Sequence, residues 1–68
     1  MGTQYLLETG GAYELLSADK LRKHLEAAKP FDYIYRLTPN RSPQQLLVWR
    51  LGNGVWMVTD TYRNVLEI

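Results

Sequence analysis

The chain has no cysteine, one histidine, one phenylalanine and no marked excess of either charge. Without cysteine there is no disulfide, no thiolate metal site and no thiol nucleophile, a composition that fits a reducing compartment. With His24 alone, a histidine-based zinc site would need carboxylate partners, and the scattered acids supply no such arrangement. Eight basic and seven acidic side chains leave a net charge of +1. Nucleic-acid binders usually carry a basic excess, because phosphate neutralisation provides much of their affinity. The balance here argues against that class.

Long apolar runs are also missing. Nothing approaches the roughly 18 to 20 residues that cross a bilayer, and Met1-Gly2-Thr3-Gln4 lacks the basic and apolar regions of a signal peptide. Met1-Gly2 opens as a myristoylation signal does, but glycine after an initiating methionine is too common to carry that reading. The expectation is a cytoplasmic protein with no membrane partner, no metal and no cofactor.

The 68 residues make one α+β domain, 1–68, near the lower limit of what a single core stabilises unaided. Gln4 to Thr9 and Ala12 to Leu16 flank Gly10-Gly11, and either pair as a hairpin or lead directly into a helix. Ser17 has the chemistry of an N-cap, Asp19 suits the positive end of the helix dipole, and Leu16 with Leu21 has staple spacing. Ala18, Leu21, Leu25 and Ala28 form one apolar stripe, and Lys29-Pro30 stops the helix. A helix over about 17 to 29 follows.

Beyond Pro30 the period becomes two. Asp32 to Thr38 reads as a strand, with Tyr33, Tyr35 and Leu37 on one face and Ile34 and Arg36 on the other. Pro39 to Pro43 is a loop, Gln44 to Leu51 and Val55 to Thr61 are strands, and Val65 to Ile68 is a short last one. Asn53-Gly54 suits a two-residue type I′ turn. That turn predicts Leu51 opposite Trp56, Trp49 opposite Val58 and Leu47 opposite Asp60, with Arg50 facing Met57 and Val48 facing Thr59. Trp49, Leu51, Trp56 and Val58 then form the core side. The expected architecture is one α-helix packed on one face of an antiparallel sheet of about four or five strands.

Candidate chemistry is sparse. His24 lies beside the apolar stripe and reads as an exposed helix histidine rather than a proton shuttle. Ser17 is taken by capping, and Ser42 lacks the glycine elbow that presents a nucleophile. Asp60 fits the sheet margin, bonding a turn amide. Gly10-Gly11 and Gly52-Asn53-Gly54 have neither the spacing nor the following helix of a phosphate loop. No catalytic, metal or cofactor residue is assigned, and the expectation is not an enzyme.

One helix covers only one face of a sheet. The register above leaves Leu46, Val48, Arg50 and Met57 on the other, together with Ile34 or with Tyr33, Tyr35 and Leu37 according to how the third strand pairs. Leu46, Val48, Arg50, Met57, Tyr33, Tyr35 and Arg36 are therefore the expected partner-binding set, for a protein partner or a homodimer. The functional expectation is a non-catalytic protein-binding module acting as an inhibitor or regulator. Small α+β inhibitors encoded by phages and mobile elements, anti-CRISPR proteins among them, share its size and composition, and the analogy goes no further. The second reading is nucleic-acid binding, with Tyr33 and Tyr35 stacking bases and Lys20, Arg22, Lys23 and Arg41 contacting phosphate, helped by His24, Lys29 and Arg36. Against it, Asp19 with Lys23 and Arg22 with Glu26 have the spacing of self-paired surface charges.

Overall fold

The helix forms where its capping residues predict and ends sooner than the proline does. In a computed structural model describing residues 2–68, α1 spans Ala18–Glu26. Met1, and with it the first position of the myristoylation-like start, lies outside the described residues. Ser17 is extended, and its hydroxyl accepts from the Lys20 amide at 3.3 Å while its carbonyl accepts from the Leu21 amide at 2.9 Å. Leu16 and Leu21, either side of the cap, are both buried, as the staple requires. The expected end at Lys29 is corrected to Glu26. Ala28 turns left-handed (φ 55°), its amide donating to the Leu25 carbonyl and the Lys29 amide to that of His24. This closure satisfies the last carbonyls before Pro30 is reached. Asp19 pairs with Arg22, one residue short of the expected Lys23.

Among the described residues six strands form one sheet, where about four or five were expected. They are β1 Gln4–Thr9, β2 Ala12–Leu16, β3 Tyr33–Leu37, β4 Gln44–Gly52, β5 Val55–Asp60 and β6 Val65–Leu66. The order is β2-β1-β3-β4-β5-β6, antiparallel throughout. The count rises because Gly10-Gly11 closes a full hairpin, so Ala12–Leu16 joins the sheet, while the expected last strand forms over Val65–Leu66. Gly10 and Gly11 have φ of 59° and 84°, the paired positive values that a type I′ turn demands.

The β4–β5 register departs from expectation by one residue. Asn53 (φ 53°) and Gly54 (φ 75°) make the turn, and Gly52 pairs with Val55 as the turn dictates. Gly52 itself sits at φ 91°, and the ladder shifts between it and Arg50. One extra residue on β4 is a bulge. Past it, Arg50 faces Trp56, Trp49 faces Met57, Val48 faces Val58 and Leu46 faces Asp60. A one-residue slip sends every β4 side chain to the opposite face. Trp49 therefore leaves the expected core, and Val48 enters it.

The core lies on the face that carries α1. Tyr5, Leu7, Leu16, Ile34, Leu46 and Val58 of the sheet pack with Leu21 and Leu25 of the helix, and Val48, Trp56, Leu66 and Ile68 extend the cluster. The helix touches chiefly β1 and β2, so the far half of this face depends on Trp56 and the C-terminal residues. Arg22 ties those residues down by donating to the Ile68 carbonyl. Arg50 crosses to the helix C-terminus and donates to the Leu25 carbonyl at 2.9 Å, a favourable place for a cation.

Asp60 closes the β5–β6 turn from a buried position. Its carboxylate accepts from the amides of Tyr62 at 2.8 Å and Asn64 at 2.9 Å, and from the Asn64 side chain at 3.0 Å. The Asn64 side chain first, then the backbone amides and the Arg36 charge, hold its pKa below the ordinary carboxylate range. Because the folded value is lowered, the stabilisation is present above the unfolded value near 4 and is lost as pH falls through the folded one. Thermal melts between neutral and strongly acid pH should show that loss. Asp60→Asn, whose amide opposes the Asn64 amide, should melt lower at neutral pH and flatten the acid limb. An unchanged acid limb would assign the effect to other carboxylates.

Candidate interaction surface on the open sheet face

The ladder registers place alternate residues of all six strands on the side away from α1. Leu6 faces Leu15 and Tyr35, Tyr35 faces Gln45, Leu47 faces Thr59, and Trp49 faces Met57. Glu8 stands between Tyr13 and Tyr33, and Val65 beside Thr59. The result is a continuous Leu, Tyr, Trp and Met surface. Tyr13, Leu15, Tyr33 and Val65 are well exposed, and Leu6, Tyr35, Leu47, Trp49 and Met57 are half-buried. Glu8 is the one charged ladder position on this face among the described residues, and it raises the pKa of the neighbouring Tyr13 phenol by its negative charge.

Trp49 is held in place. Its indole N–H donates to Thr59 Oγ1 at 2.8 Å, and the Arg63 guanidinium lies 5.6 Å from the ring centroid. Trp49, Met57, Thr59 and Arg63 surround a shallow hollow of about 230 Å³. A second hollow, of about 350 Å³, opens where β3 and β4 stop pairing at Ile34 and Leu46; Phe31, Tyr33, Leu47 and Trp49 line it. Tyr33 and Tyr35 lie 6.4 Å apart, tilted by 30°. The face combines fixed aromatic groups with concavities, which is the anatomy of an interface centre.

The structure divides the sequence-derived partner set. Tyr33, Tyr35 and Met57 lie on the open face. Leu46 is buried in the core, Val48 packs against it, and Arg50 caps the helix. Arg36 also points to the helix side and donates to Gln44. These four are corrected to structural positions on the covered face. The bulge moves Leu46, Val48 and Arg50, while the β1–β3 register places Arg36 beside Tyr5. Trp49, Leu47, Leu6 and Arg63 were missed. The signal for Trp49 was the glycine preceding Asn53-Gly54, which marks a place where a strand can bulge.

The basic residues lie elsewhere. Lys20 and Lys23 are on α1 over the opposite side of the sheet, Arg22 is engaged by Asp19 and Ile68, and Arg41 is exposed in the β3–β4 loop. His24, expected to be exposed, is half-buried, edge-on to Phe31 at 6.2 Å. No group of three or more His, Cys, Asp or Glu is placed to hold a metal among the described residues, and no helix there is long and apolar enough to cross a membrane. Comparison with protein families, curated proteins and solved structures finds no match to this chain.

Proposed function

We propose that the chain is a non-catalytic protein-binding module that acts as a regulator or inhibitor by laying its open sheet face on a partner protein. The supporting observation is the contiguous Tyr33, Tyr35, Leu47, Trp49 and Met57 surface, with Glu8, Asp32 and Arg63 as charged neighbours. Such a patch is costly to leave in water and rich in the side chains that dominate interfaces. The molecule measures 36 × 26 × 20 Å, so its broad side has room for the roughly 800 Å² per partner of a standard interface. Nucleic-acid binding would need tyrosines and basic residues to act together, and here the basic helix residues Lys20 and Lys23 lie on the opposite side of the sheet from Tyr33 and Tyr35.

Photo-crosslinking tests the reading. A photoreactive residue replacing Leu47 should crosslink a protein partner, or a second copy, far more than one replacing Ser42, exposed in the β3–β4 loop. Adding Tyr35→Glu should abolish that product. Light scattering across a wide concentration range separates the self-associated case. A monomer whose position 47 labels nothing above the Ser42 background would overturn the proposal.

A further inference from the structure

A second surface lies along β2, at the margin where Tyr13 and Leu15 border the open face. This strand is one outer edge of the sheet. Thr9 and Ala12 flank a two-residue turn and form a hydrogen-bonded pair, and bonded pairs recur at every second residue. The backbone amides and carbonyls of Tyr13 and Leu15 therefore point away from β1. Edge strands are usually guarded by shortness, proline, lysine or a bulge. The opposite edge, β6, is only Val65–Leu66, whereas Ala12–Leu16 has none of these guards.

Between this edge and the helix runs a groove of about 580 Å³. Glu14 and Leu16 line it from the strand, Lys20, Lys23 and His24 from α1, and Lys29 from beyond the helix end. Nε2 of His24 is buried without a hydrogen-bond partner. Three lysines against one glutamate leave the groove positive. An open strand edge beside a basic helix face is equipped to recognise backbone and carboxylates together.

We propose that this groove binds an extended acidic peptide segment of a partner protein, which adds to β2 as a seventh strand. Its backbone bonds to Tyr13 and Leu15, the mode of recognition in which main-chain bonds supply affinity and alternate side chains supply specificity. Carboxylates on the helix side meet Lys20, Lys23 and Lys29, with the His24 ring nitrogen beside them. Apolar side chains on the other side meet Tyr13 and Leu15, which are 63% and 52% exposed. A second copy of β2 suits the edge poorly, because a two-fold pairing brings two Lys20–Lys23 rows together.

Fluorescence anisotropy with a labelled peptide alternating Glu and Val tests this directly. Three competitors decide the outcome: a Lys-for-Glu version, a version N-methylated at alternate residues, and a single-stranded oligonucleotide of equal charge. The acidic peptide should bind at least about tenfold tighter than any of them, a difference of about 1.4 kcal/mol. Lys20→Gln with Lys23→Gln should weaken it about tenfold while circular dichroism stays unchanged, and amide exchange at Tyr13 and Leu15 should slow on binding. Met57→Glu, on the open face four strands from β2, should leave this affinity intact, so the two sites are tested separately. Equal affinity for the N-methylated peptide, tighter binding of the oligonucleotide, or no binding of the acidic peptide would each overturn the proposal.

Discussion

Ile34→Ala is expected to lower stability by about 2–5 kcal/mol, the range for emptying a large aliphatic side chain from a packed core. Ile34 is fully buried in the third of six strands, opposite Leu7 on β1 and Leu46 on β4, themselves 3% exposed each. It is therefore touched from both neighbouring strands, with Leu21 and Leu25 of α1 in the same cluster. Neither strand can move in to fill the cavity without leaving its ladder. A domain of this size has roughly 3–10 kcal/mol in total at 0.05–0.15 kcal/mol per residue, so the variant should lose a large share of its stability. Urea unfolding followed by tryptophan fluorescence measures the loss. Tyr33→Ala, one residue away on the open face, should cost less than about 1 kcal/mol by comparison. Equal losses at both positions would mean that the two faces are equally buried, and the layer arrangement would be wrong.

Gly52→Val should destabilise by about 1–3 kcal/mol and expose the device that sets the faces. Gly52 adopts φ 91° with open space around its Cα, so the cost is one of backbone conformation and not of collision. A branched residue there disfavours the bulge. Losing the bulge would restore the simple register, with Leu51 opposite Trp56 and Trp49 turned towards the helix. The chain resists that exchange because it would carry Arg50 away from the Leu25 carbonyl and expose Val48. Two-dimensional NMR separates the outcomes. Retained cross-strand contacts between Val48 and Val58, with a lower melting temperature, are expected. A stable variant with Trp49 against Val58 would show that the bulge is incidental.

These two positions show what could be read in advance. The α1 N-terminus was legible because capping is local: Ser17, Asp19 and the Leu16–Leu21 staple act within one turn. The Asn53-Gly54 turn was legible for the same reason, since only glycine and asparagine accept those dihedrals cheaply, whereas Gly10-Gly11 left a hairpin and a lead into the helix both open. The helix end was not, because the left-handed turn falls on Ala28, a residue that does not advertise it. The open face was legible as a consequence of counting: one helix cannot cover two faces. Its membership was read wrongly at Leu46, Val48, Arg50 and Arg36. For the β4 residues the cause was a single bulge next to the Asn53-Gly54 turn, which changes the side of every β4 residue before it.

Local chemistry in the sequence thus determined the helix start, the Asn53-Gly54 turn, an antiparallel sheet and a single helix to cover it. The tertiary structure alone decided which side chains that single layer leaves in water. Strand parity is fixed by pairing across the whole ladder, where burying Ile34, Leu46 and Val58 together outweighs the preference of any one residue. The same long-range pairing put β2 at the edge beside Lys20 and Lys23. No local signal in either segment announces that neighbourhood, because it exists only once β1 has taken its place between β2 and β3.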